Sequence, residues 1–190
     1  MHVRVRALAL AATIAVALAH GPGARADEAV AHAIDPAKSK AVFSVAHVFV
    51  EHVAGTVPIV SGTVVLPPDS ATPVSLTAEL DPGKVASGDR DRDASLVSSD
   101  FFDVKAYPAW TFTSTKIIPV SASAFGVDGT LTLHGVASPE HLDVTVRGDA
   151  AHRVYHAVGH IDRRAFHMTV TRLDPAIGNI VDATLDITLK

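Results

Sequence analysis

The sequence predicts an all-β protein: eight antiparallel strands closing into one barrel-like domain, with one short helix inserted at about residues 89–104. Three observations carry this reading. Period-two alternation of apolar and polar residues dominates the chain after residue 26, the mark of strands buried on one face. Clusters of Pro, Gly and Asp interrupt the alternating runs, as turn residues do. The longest charge-free apolar run, Ala7 to Ala19, has 13 residues, short of the about 20 that a membrane-spanning helix needs.

That run belongs to a leader. Arg4 and Arg6 precede it, and Ala24-Arg25-Ala26 places small residues where a signal peptidase reads them, so residues 1–26 are expected to be a signal peptide and residues 27–190 the mature domain. Ala17-Leu18-Ala19 offers an alternative cleavage point after Ala19. Removing residues 1–26 takes three arginines and no acid, leaving 13 basic against 20 acidic residues, a net −7 with histidine neutral. This balance argues against nucleic acid and against a polybasic grip on anionic lipid. The expected location is the periplasm, with secretion as the alternative. The chain has no cysteine, so disulfides and thiol chemistry are excluded.

The expected strands run in order. Residues 41–50 and 56–66 come first. Then Val74, Leu76, Ala78 and Leu80 alternate with Ser75, Thr77 and Glu79. Residues 110–118 and 124–134 follow, and Leu142, Val144 and Val146 alternate with Asp143, Thr145 and Arg147. Residues 153–163 also suit a helix, but Gly159 and the β-branched content favour a strand. The last strand is the clearest, with Val181, Ala183, Leu185, Ile187 and Leu189 on one face. Turns are expected at Pro67-Pro68-Asp69, Asp81-Pro82-Gly83, Asp128-Gly129 and Ser138-Pro139. Eight antiparallel strands close or stack to hide their edges, and a closed interior either fills with side chains or holds one small ligand. Alternation alone does not choose between them.

Motifs for chemistry are sparse. His152, His156 and His160 are four residues apart, which on a strand separates them by about 13 Å, too far to share one metal ion. They read as outward-facing polar residues. Asp89, Asp91, Asp93, Ser95 and Asp100 fall on positions 1, 3, 5, 7 and 12 of a calcium loop. Ala94 replaces the required glycine, and Arg90 and Arg92 offset the charge, so the segment reads as an acidic helix start. No nucleophile elbow, phosphate loop or zinc-protease motif is present. No catalytic residue and no metal site is assigned.

Several blocks in order are similar to the YceI-like family. Asp35-Pro36-Ala37-Lys38-Ser39 and Val42-Phe43-Ser44-Val45-Ala46-His47 resemble its opening strand, and Gly55 with Ser61-Gly62-Thr63-Val64 its second. Arg92-Asp93-Ala94-Ser95-Leu96, Asp100-Phe101-Phe102-Asp103-Val104 and Tyr107-Pro108 resemble its helix and exit. Phe112-Thr113-Ser114-Thr115, Gly129 to Val136, Arg163-Arg164-Ala165-Phe166 and Ile177-Gly178-Asn179-Ile180-Val181 complete the set. Lys38, Ala46, Ala137 and His167 depart from the family's usual His, Lys, Thr and Gly.

The resemblance implies an extended lipocalin-like barrel and a periplasmic binding or carrier protein, not an enzyme. Its ligand would be a long-chain apolar lipid of polyisoprenoid or isoprenoid-quinone type, with no other cofactor. Candidate lining residues are Phe43, Val45, Leu76, Phe101, Phe102, Trp110, Phe112, Leu131, Leu133 and Val144. His47 and His134 are candidates for a polar mouth or for locking strand ends. Beyond the lipid, transient membrane contact and a homodimer are the partner expectations, with no integral membrane segment after processing. An enzyme acting on such a lipid and a ligand-free, stress-linked interaction protein are the alternatives.

Overall fold

The computed structural model describes residues 28–49, 51–149, 152–168 and 176–190. The expected leader, residues 1–26, lies outside the described residues. The strands are β1 Val30–Ala33, β2 Lys40–His47, β3 Glu51–Thr56, β4 Ile59–Leu66, β5 Ser75–Leu80, β6 Trp110–Ser121, β7 Ala124–Leu133, β8 Val136–Arg147, β9 Val154–Asp162 and β10 Ile177–Thr188, with one helix, α1, at Arg90–Val97. All pair antiparallel in a single sheet of order β1-β4-β5-β6-β7-β8-β9-β10-β2-β3. No described helix is long and apolar enough to cross a membrane.

The all-β architecture matches the expectation, but the sheet has ten strands where eight were expected. The expected strand over 56–66 starts only at Ile59, as β4, while residues 51–56 form their own strand, pairing back onto β2 from Val42↔Thr56 to His47↔Glu51. The other addition, β1, is four residues long and pairs with β4, too short for alternation to reveal.

Two expected turns are strand interior. Asp128-Gly129 lies inside β7, whose turn into β8 falls at His134-Gly135, both with positive φ. Glycine stands at 129 because the Phe112 ring lies against that backbone, where any Cβ would collide with it. Pro139 lies inside β8, paired with Thr130. β9 joins β8 only from Leu142 onward, so Pro139 sits on a locally open edge, which tolerates a missing N–H.

The sheet curls into a half-barrel because its edges meet other strands. Ile34, just after β1, bridges to Leu189 beyond β10. Asp35 N–H donates to the Thr188 carbonyl at 2.8 Å and Lys190 N–H to the Ala33 carbonyl at 2.9 Å. Thr56 of β3 bridges to Ala86. The core lies on the concave face: Val127 and Phe166 are fully buried, with Phe125, Tyr155 and Val144 around them.

The inserted helix is shorter than the expected 89–104. Asp89 caps it, its carboxylate accepting the N–H groups of Asp91 and Arg92 at 3.0 Å each, and Asp91 and Asp93 occupy the first turn, where the helix dipole favours acids. These helix hydrogen bonds hold the Asp89 carboxyl below its ordinary range. The helix stops at Val97; turns follow, through Asp103 in the left-handed region. No residue of α1 is buried. The apolar residues of the expected helix act after it: Phe102 forms a second small core with Val57 and Val85.

The strand reading of 152–161 holds. His156 and His160 project from the convex face of β9, where Nδ1 of each lies 2.7 Å from Asp186 and Asp182 of β10. On the β7–β8 seam, Nδ1 of His141 in β8 lies 2.6 Å from Asp128 of β7, and its Nε2 lies 3.5 Å from Asp143. The bond to Asp128 raises the His141 pKa above its ordinary value. A raised folded pKa adds stability below the unfolded value of about 6.5, lost as pH rises through the folded value. Replacing His141→Gln should therefore cost a few tenths to about 1 kcal/mol, as for exposed pairs, at pH 5.5 and almost nothing at pH 9, measured by urea unfolding.

Candidate ligand-binding site

Inward-facing residues of the curled sheet do not meet across its middle. They enclose a cavity of about 510 Å³, within the usual range of about 300–1,000 Å³ for small-molecule sites. Strand alternation builds the wall. Phe125, Val127, Leu131 and Leu133 come from β7, Leu142 and Val144 from β8, Tyr155 and Ala157 from β9, and Val181, Ala183, Leu185 and Ile187 from β10. Small residues keep it open: Ala41, Ala78, Ala157 and Ala183 occupy inward positions on four strands.

All ten residues singled out as lining candidates lie on this wall: Phe43, Val45, Leu76, Phe101, Phe102, Trp110, Phe112, Leu131, Leu133 and Val144. They divide by depth in the fold. Phe112, Leu131, Leu133 and Val144 belong to the main core, whereas Phe43, Phe101, Phe102 and Trp110 gather where the segment after α1 covers one end. There Phe102 and Trp110 meet edge to face, with ring centroids 4.6 Å apart, a favoured aromatic geometry.

The two histidines part company. His47, last residue of β2, lies on the wall, and its Nδ1 accepts the Phe49 N–H at 3.3 Å. His134 does not reach the cavity: it takes the left-handed position of the β7–β8 turn and packs against Tyr107, with ring centroids 4.8 Å apart. Its place in the turn fits the strand-end role, the other of its two expected roles.

Four polar wall residues escaped the sequence reading as site residues: Arg92, Ser95, Tyr155 and Arg163. Arg92 donates Nε to the Ser87 hydroxyl at 2.8 Å and Nη2 to the Ser87 carbonyl at 2.9 Å. Ser87 in turn is held by Asp93, which accepts its N–H at 2.8 Å. Arg163 is 6% exposed. Its guanidinium donates to the carbonyls of Gly178 at 2.9 Å, Met168 at 2.7 Å and Ile177 at 3.1 Å. The signal was present in Arg163-Arg164-Ala165-Phe166, but only burial distinguishes the two arginines: Arg164 is exposed and pairs with Asp162, whose pKa falls to about 2 through those hydrogen bonds. The family departure at His167 has a geometric cost, since it adopts φ 56°, a conformation that glycine enters freely.

No Asp or Glu side chain lies on the wall among the described residues. Glu140 comes nearest in orientation, on an inward β8 position, and burial with the nearby Asp162 raises its pKa. Arg163→Lys should lower unfolding stability by about 2 kcal/mol or more, because an ammonium cannot reproduce the planar fork of charge-assisted bonds. Arg164→Lys should change it little, and parallel thermal melts compare the two.

Comparison with known proteins agrees with this geometry. A YceI-like domain model matches residues 32–189. A UPF0312 protein of Pseudomonas putida strain W619 is 36% identical over 83 residues, covering 43% of each chain. Another, of Pseudomonas savastanoi pv. phaseolicola, is 31% identical over 109 residues, 56% of each. The aligned stretch thus spans about half the length of these curated relatives. Among solved structures, BcnA of Burkholderia cenocepacia superposes with a TM-score of 0.73 at 26% identity, covering 81% of this chain and 98% of that one. A polyisoprenoid-binding domain from Saccharophagus degradans gives 0.63 at 16% identity, covering 84% and 97%, a likeness of fold. With its half-barrel and its helix inside the one domain model that matches residues 32–189, the chain belongs to the YceI-like family.

Proposed function

We propose that this protein is a periplasmic carrier that binds a long-chain apolar lipid, of polyisoprenoid or isoprenoid-quinone type, inside the half-barrel. The observation that carries the reading is the cavity of about 510 Å³, walled by aliphatic and aromatic side chains. Such a space gains by burying hydrocarbon: about 0.8 kcal/mol per CH₂-sized group gives on the order of 4 kcal/mol for each five-carbon isoprene unit. Three or four units would outweigh the several kcal/mol of association entropy. No ionic clamp is required. The polyisoprenoid-binding name of the Saccharophagus degradans domain supports the same ligand class.

A binding role without catalysis fits the wall chemistry. General acid–base work needs a group that takes or gives a proton near neutral pH. The wall carries no carboxylate among the described residues, its imidazole, His47, uses Nδ1 to accept the Phe49 N–H, and Arg92 and Arg163 spend donors on backbone and Ser87. Export by residues 1–26 is part of the proposal, as is the periplasmic site of action.

Organic extraction of protein purified without detergent should release a stoichiometric isoprenoid-type lipid, identified by mass spectrometry. Ala157→Trp places an indole in the cavity from the centre of β9; it should reduce bound lipid at least about tenfold while the protein stays folded by circular dichroism. A folded native protein without extractable lipid, or an unchanged lipid load in the Ala157→Trp variant, contradicts the proposal.

A further inference from the structure

We propose that the tip of the β2–β3 hairpin, Val48-Phe49, is a membrane-seating finger that sets the cavity wall against an uncharged lipid bilayer. The inference rests on the carrier reading above. Phe49 is 79% exposed and Val48 69%. Single exposed apolar residues are ordinary on any protein; Val120, in the β6–β7 hairpin, is one, with Ser121 and Ser123 beside it. The β2–β3 tip differs in being an adjacent aromatic and aliphatic pair at the end of a ligand-cavity wall.

The pair is held in place. Val48 N–H donates to the Ala176 carbonyl at 3.0 Å, and Phe49 N–H donates to His47 Nδ1 at 3.3 Å. The Phe49 ring lies against the His47 imidazole, with centroids 5.5 Å apart. His47 is itself a wall residue, as are Val45 and Val53 on the two hairpin strands. On the neighbouring strand, Ile177 pairs with His47 and also lines the cavity. Ile180, 48% exposed, lies in the irregular stretch of β10 between Ile177 and Val181. An apolar track therefore runs from the cavity along β2, β3 and β10 to the exposed tip.

Charge selects the kind of surface. From Ala41 to Gly83 the sequence has no lysine or arginine, so the tip of the hairpin, at the far end of β2 from Lys40, offers neither to anionic headgroups. Aromatic and aliphatic side chains inserting at the headgroup–acyl boundary remain as the means of attachment. Two side chains give weak, reversible attachment, which suits a protein that must leave with its cargo. Seating the track on the bilayer lets an isoprenoid chain pass between acyl layer and cavity without crossing water fully hydrated.

The test is flotation of the purified full chain with phosphatidylcholine vesicles, comparing it with Val48→Ser/Phe49→Ser and, as control, Val120→Ser. The expected result is binding that the double substitution weakens about tenfold or more and Val120→Ser leaves unchanged. Thermal stability and extractable lipid load should stay unchanged in both. In Phe49→Trp, added indole fluorescence should be quenched by brominated phosphatidylcholine. No binding to neutral vesicles, binding that requires anionic lipid, or an unaffected double variant overturns the proposal. So does a double variant that instead turns a dimer into a monomer in sedimentation velocity, which would assign the tip to a second copy of the chain. Lipid load is read separately: a chain that floats but carries no lipid keeps the finger and refutes the carrier reading.

Discussion

The backbone hydrogen-bond ladder is the constraint on which the structure depends. It fixes neighbouring strands about 4.8 Å apart, so a sheet of ten strands has a set width whatever its side chains are. Curled upon itself, that width encloses more space than inward Val, Leu and Ala residues fill, and alanine at positions 41, 78, 157 and 183 widens the deficit. A helical core would shrink around such a gap; a paired sheet cannot do so without breaking ladder bonds. The cavity follows from the pairing together with the choice of small inward residues.

Irregular segments then finish what pairing leaves open. The stretch after α1 brings Phe101 and Phe102 over one end, against Phe43 and Trp110. Arg163 gathers the carbonyls of Met168, Ile177 and Gly178, tying the turn after β9 to the start of β10. Both devices place a charged or aromatic group where the ladder supplies no bond. The convex face has the opposite chemistry: His–Asp pairs span the β7–β8 and β9–β10 seams, so the polar half of each alternating strand adds cross-strand contacts.

Much of this was legible in the residues, and the failures share a cause. The face made by Val181, Ala183, Leu185 and Ile187 reads directly from alternation and is cavity wall. The aromatic candidates around 101–112 all reach the wall as well. Asp128-Gly129 misled because the dipeptide is good turn chemistry, whereas here its glycine answers a ring packed from the neighbouring strand. The expected strand over 124–134 nonetheless carries the β7 face running from Phe125 and Val127 to Leu131 and Leu133. β1 and the separate β3 were hidden because local sequence does not state where one short strand ends and the next pairs. Arg163 and His134 show the same limit: burial and turn geometry, not residue type, decide which basic side chain faces the cavity.

The carrier proposal requires this interior to be a hydrocarbon-filled site and not a core awaiting collapse. A crystal structure of the protein purified without detergent or added lipid tests it most directly. A lipid-filled interior would show continuous elongated density threading the wall from Leu131 and Val144 toward Phe43 and Val45. Side chains shifted inward to fill that space, or a chain of ordered water in it, would contradict it.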